Sequence, residues 1–239
     1  MFLKVQNGHP PVFDTDEVIF QSADNVWNLF RSQNKYILED ALRLAVLEPH
    51  FKSGNIYLKE KTDNFTQFIL EYPLGEIFFI NLLSRGYGVV LHACGVIDDN
   101  GHGYLFLGNS THGKSTIAKL WSESGATVLN DDRIIVRERN GKFWMYGTPW
   151  HGDFNEVSSK ALPIRKIFFL RHGEKNSTVP RKGAEAVSML LTRAFPPLWD
   201  KEGMNYTLSL LDRMVIKLPC FELEFVPDKS ALEFIRSSI

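Results

Sequence analysis

The chain predicts an α/β protein of mixed α+β sheets with few covering helices, a core domain preceded by a small, mostly β layer. Three observations carry this reading. The apolar run Tyr104 to Leu107 is followed by Gly108-Asn109-Ser110-Thr111-His112-Gly113-Lys114-Ser115 and then by the helical stretch Thr116 to Glu123. This is the order strand, glycine-containing turn, helix that a phosphate-binding loop requires. Downstream, most β-type runs are joined by tight turns such as Asn140-Gly141 rather than by helices, unlike a doubly wound sheet. Upstream of Pro73 the chain reads as short strands and polar turns, so the expected division is 1–70, a small β-rich region, and 71–239, the core domain.

The composition suits a globular core of that kind. Apolar residues are 44% and charged residues 23%, the proportions of an ordinary globular chain, and 239 residues suffice to bury a sizeable core. Twenty-seven basic against 28 acidic side chains give a net charge of -1, which offers no electrostatic case for nucleic acid as the main partner. No apolar run has the length of a membrane span, and Met1 to Pro11 carries no secretory pattern. No membrane partner and a cytoplasmic location are the expectation. Cys94 and Cys220 are too few for a disulfide framework.

In order, strands are predicted at Glu17 to Phe20, Val26 to Arg31, Tyr36 to Leu38, Asn55 to Leu58 and Phe65 to Leu70, while Leu42 to Leu47 fits a strand or a helical turn. Lys59 to Asn64 is polar enough for a loop. Pro73 opens a helix to about Arg85, with Leu74, Ile77, Phe78, Asn81 and Leu82 at three- and four-residue spacing, and Gly86 and Gly88 stop it. Val89 to Ile97 is a strand, returned by the hairpin turn Asp98 to Gly103 into Tyr104 to Leu107. Gly125 ends the helix after the loop, and Ala126 to Leu129, Ile134 to Val136, Lys142 to Tyr146 and Ile164 to Leu170 follow as strands. Helices are expected at Ala184 to Arg193 and Met204 to Arg213, a last strand at Phe221 to Val226, and a closing helix at Lys229 to Ser237 capped by Asp228.

The loop defines the chemistry. Backbone N–H groups of such a turn and of the helix behind it converge where a di- or triphosphate fits, so Gly108, Asn109, Ser110, Thr111, His112, Gly113, Lys114, Ser115 and Thr116 are the candidate nucleotide-binding residues. Lys114 supplies a full charge for the β and γ phosphates, and the Ser115 hydroxyl is a ligand for Mg²⁺. Phosphoryl transfer also needs acids, and Asp131 and Asp132 close the strand that returns after the loop helix. Adjacent side chains on an extended strand point to opposite faces, so both acids reach one site only if the chain bends there. The competing reading is a solvated turn. His92, in an otherwise apolar strand, needs a partner or a purpose, while Cys94 two residues on reads as a buried structural thiol. The seven histidines show no zinc-ligand spacing. Arg133, Arg165, Arg171 and Arg181 are candidates for transition-state charge that nothing in the sequence separates from surface residues. Trp150, His151 and Asp153 are candidates for the acceptor side, with an ordinary surface loop as the alternative.

Leu91-His92-Ala93, the loop Gly108 to Ser115, and Asn130-Asp131-Asp132 resemble the C-terminal catalytic domain of the HPr kinase/phosphorylase family. His92 lies 16 residues before Gly108 and Asp132 lies 24 after it, close to the family spacing; the likeness runs from about Pro73 to Tyr146. The resemblance implies the phosphoenolpyruvate-carboxykinase type of P-loop fold and a kinase using ATP and Mg²⁺. In it Asp131 is the acid/base toward an acceptor hydroxyl, Asp132 and Ser115 serve the metal, and His92 and Lys114 stand at the γ-phosphate. The chain departs from the family at Thr111, where Gly is usual, and lacks a counterpart of the glycine-containing signature associated with phosphorolysis. It is more similar to short HPr-kinase-like serine kinases. The expected partners are a nucleotide and a hydroxyl-bearing peptide, protein or small molecule, with homo-oligomerisation left open. A nucleotide-sensing switch without phosphotransfer is the alternative function. Carboxykinase chemistry would follow from fold analogy alone.

Overall fold

The computed structural model describes residues 2–8, 10–14, 16–23, 26–59, 69–109 and 111–237. Fourteen strands and five helices among these residues build two mixed sheets, and the chain divides into two compact units, Met1–Arg85 and Gly86–Ile239.

The first unit is a six-stranded sheet of β1 (Phe2–Asn7), β2 (Glu17–Gln21), β3 (Trp27–Ser32), β4 (Lys35–Asp40), β5 (Arg43–Leu47) and β6 (Ser53–Leu58). Its spatial order is β1-β6-β5-β4-β3-β2, antiparallel except where β1 lies parallel to β6. The ambiguous stretch Leu42 to Leu47 resolves as strand β5. All five of its residues are buried between β4 and β6, and a strand covered on both faces shows no alternation. Edge strand β1 was not foreseen, because its side chains are mostly exposed and the apolar pattern is weak. Of the strand expected at Phe65 to Leu70, Phe65 to Phe68 lie outside the described residues, and Ile69 and Leu70 form a turn. The helix after Pro73, α1 (Leu74–Leu83), counts with this unit.

A buried ion pair locks the corner between β4 and β5. Arg43 Nη2 lies 2.7 Å from Asp40 Oδ2, and both side chains are almost wholly buried. The pair is closed by backbone groups: Asp40 Oδ1 accepts from the N–H groups of Leu42 and Arg43, and the guanidinium donates to the carbonyls of Ile69 and Tyr72. A buried charge is tolerated when its lone pairs and protons are satisfied in this way.

In the second unit, β7 (Val89–Ile97) and β8 (Gly103–Leu107) form the hairpin before the loop, and α2 (Lys114–Glu123) follows it. β9 (Thr127–Asn130), β10 (Arg133–Arg139), β11 (Lys142–Gly147) and β12 (Ala161–His172) come next, then β13 (Ser177–Arg181), α3 (Gly183–Leu191), α4 (Lys201–Lys217), β14 (Cys220–Phe225) and α5 (Lys229–Ser237). The sheet order is β11-β10-β7-β8-β12-β14-β13, with β9 on β7 and a further pairing of β11 with the start of β12. β13 was not predicted, since Pro180 and its polar neighbours mask an exposed edge strand.

Helices cover both faces of this sheet. Ala186 and Leu190 of α3 and Leu210, Leu211 and Met214 of α4 pack with Leu91, Leu107, Phe169 and Cys220 on one face. Ile117, Ala118 and Trp121 of α2 and Ala231, Leu232 and Ile235 of α5 pack with Cys94, Phe106, Phe168 and Leu223 on the other. Trp121 stacks on Tyr104 with ring centroids 5.6 Å apart; burying such a ring stabilises the face by about 2–3 kcal/mol. The α4 N-terminus is capped by Asp200, whose carboxylate accepts from Glu202 and Gly203 N–H.

Candidate functional site

The glycine-containing turn sits where β8 leaves the sheet. Gly113 stands at the N-cap of α2 with φ +91°, and a Cβ there would come within 2.8 Å of the Phe225 ring, so both conformation and space require glycine. Thr111 takes φ +72°, uncommon for a β-branched residue. Two imidazoles hold that conformation: His172 Nε2 donates to the Thr111 carbonyl at 2.8 Å, and His112 Nδ1 donates to the Leu170 carbonyl at 3.1 Å. No side chain caps α2, so its first-turn N–H groups open into a cleft of about 360 Å³. Thr111, Gly113, Lys114, Ser115 and Thr116 line the cleft with His92, Asp131 and Asp132. Of the other candidates, Gly108 and Asn109 lend their carbonyls to Lys114 Nζ, at 2.9 and 3.1 Å, and His112 faces β12; Ser110 lies outside the described residues.

The acids reach one site because the chain bends, and Asn130 bends it. Its fully buried side chain accepts the N–H groups of Asp132 and Arg133 through Oδ1 and donates through Nδ2 to the carbonyls of Thr148 and Trp150. The two carboxylates then meet different partners. Asp131, 2% exposed, accepts from Ser115 Oγ at 2.7 Å, Gly152 N–H at 2.8 Å and Phe154 N–H at 3.1 Å. Asp132 is one-quarter exposed and lies 3.0 Å from His92 Nε2, with Arg133 on its second oxygen. Burial works to raise the Asp132 carboxyl, but the His92 hydrogen bond and the Arg133 charge outweigh it and hold it below its ordinary value.

Arg133 is the only one of the four candidate arginines placed here, its guanidinium 4.3 Å from the centre of the Phe195 ring. Arg171 and Arg181 pair with Glu222 on β14, and Arg165 borders a separate groove at Leu162 and Pro163. From the Trp150 loop, Gly152 and Asp153 line the cleft, while His151 Nδ1 binds the Gly152 carbonyl. Cys94 is fully buried on the α2 face, and burial followed by the nearby Asp131 charge pushes its thiol far up, as for a structural cysteine. Phe195 and Arg193, from the segment after α3, were not singled out in sequence. They follow the loop by some eighty residues, and no spacing rule links them to it.

No family model and no curated protein matches the chain. Among solved structures it is similar to that of the HPr(Ser) kinase/phosphatase from Coxiella burnetii, at 14% identity, over 62% of this chain and 93% of that chain, with a TM-score of 0.38. A likeness of that degree carries no functional argument. No helix among the described residues is long and apolar enough to cross a membrane.

Proposed function

We propose that the chain is a kinase that uses ATP and Mg²⁺ to phosphorylate a hydroxyl of a peptide, protein or small molecule, in the manner of the short HPr-kinase-like proteins its sequence resembles. One observation carries the reading: the uncapped α2 N-terminus, Lys114, the Ser115–Asp131 pair and the His92–Asp132 pair all line one cleft. Phosphoryl transfer depends chiefly on positioning and on neutralising charge, and these are the groups it needs.

The hydrogen bonds favour dividing the acids the other way from the family-based expectation. Ser115 Oγ and Asp131 Oδ2 form a pair of hard oxygen donors suited to Mg²⁺. No group of three or more His, Cys, Asp and Glu side chains is gathered for a metal among the described residues, so this pair would share the ion with phosphate oxygens. Bound there, Mg²⁺ would offset charge on the β and γ phosphates. Asp132, open to the cleft and backed by His92, then serves the acceptor. The acceptor oxygen bonds to the γ-phosphorus as the bond to the β–γ bridging oxygen breaks, ADP leaves with that electron pair, and the hydroxyl proton passes to Asp132.

The test is γ-labelled ATP with Mg²⁺ and a set of Ser- and Thr-containing peptides, proteins from a lysate and small alcohols. Label on an acceptor with the wild type, lost in Asp131→Asn, is the expected result. Slow hydrolysis with no labelled acceptor would instead mark a nucleotide-sensing switch.

A further inference from the structure

Strand β7 offers two edges, and one is filled by β10 and β9. On the other, β8 pairs from Ile97 only as far as Ala93, where β8 ends at Leu107 and Gly108 turns into the loop. The vacated edge is taken by the segment after α3. His92 N–H donates to the Arg193 carbonyl at 2.7 Å, Leu91 bridges to Ala194, and Phe195 N–H donates to the Val90 carbonyl at 3.0 Å. Arg193 is thereby fixed where β8 would have continued, next to the first residue of the loop.

Its guanidinium lies 6.0 Å from the centre of the Phe169 ring, and Phe169 is the register partner of Leu107. Nη1 donates to the Met189 carbonyl and to Thr192 Oγ1, while Nε is buried without a partner. Lys114 reaches the same turn from α2 through the Gly108 and Asn109 carbonyls. Neither cation contacts a carboxylate among the described residues. Burial lowers the Arg193 pKa against the pull of Glu222. A partly buried guanidinium whose Nε is left without a partner costs free energy that an anion would recover.

We propose that Arg193 is a phosphate-binding residue, closing with Lys114 on the terminal phosphates of a nucleoside triphosphate. The site is the one assigned above, and the inference rests on that reading. A guanidinium suits the task because its planar fork binds two phosphate oxygens at once.

Calorimetric titration of the full chain with inorganic tripolyphosphate, with a non-hydrolysable ATP analogue plus Mg²⁺, and with AMP tests it. Arg193→Gln, checked by circular dichroism for the wild-type fold, is expected to weaken tripolyphosphate and the triphosphate analogue about tenfold or more, and AMP by less than about threefold. Arg193→Lys keeps the charge, loses the fork and should fall between; if Arg193→Gln does not fold, at least about threefold weaker tripolyphosphate binding by Arg193→Lys is the required result. A folded Arg193→Gln that binds tripolyphosphate like the wild type overturns the inference, and if the wild type still transfers label the kinase reading survives. A wild type that binds no triphosphate sinks both.

Discussion

Asp40 pairs with Arg43, three residues on, in the first unit, and Asp132 with Arg133, the next residue, in the second. The first pair is sealed: both side chains are almost wholly buried, and backbone N–H and carbonyl groups surround them. The second stays open, with Asp132 a quarter exposed, shared between His92 and Arg133, on the wall of a polar cleft. The same residue types close a corner of the fold in one place and line an open cleft in the other. The difference lies in whether the surroundings satisfy the charges or leave room for something that will.

Lys114→Ala tests the contrast most severely. On the kinase reading it lowers phosphoryl transfer about 10³-fold or more, while the melting temperature holds or rises, because a buried cation with only carbonyl partners is removed. Loss of fold together with activity would place Lys114 in the sealed class. Arg43→Met should do the reverse in the first unit: it strands a buried carboxylate and should cost about 3–5 kcal/mol in denaturant unfolding. A loss under about 1 kcal/mol would show that this pair is not sealed in solution. The mildest test uses pH. Asp132 is held below its ordinary value, so its contribution to stability is complete above the unfolded carboxylate pKa of about 3.9 and is lost as pH falls through the lower folded value. The melting difference between wild type and Asp132→Asn should shrink as pH falls below about 3.9. A difference that grows in acid contradicts the assigned sign.

Much of the second unit was readable because its signals are local. The strand, turn and helix around Gly108 to Ser115 are adjacent in the chain, and β7 was read with its observed bounds, Val89–Ile97. The need for a bend at Asp131 and Asp132 was visible from side-chain alternation, although the part played by the Asn130 side chain was not. Long-range features escaped. Arg193 and Phe195 are brought beside His92 through sheet pairing with β7, and pairing between distant segments leaves no period or spacing behind. Edge strands β1 and β13 escaped for a different reason: exposed residues have little apolar pattern to show.

The two cysteines add a practical consequence. Cys94 is buried in the core under α2 and α5, Cys220 in the core under α3 and α4, and the first unit has none. Burial holds both thiols protonated, Cys220 pushed up to about 12. A thiol reagent therefore reacts only when one face of the sheet opens. Single variants Cys94→Ala and Cys220→Ala turn labelling rates into separate clocks for the two faces, so the opening of either helix layer can be timed without any introduced probe.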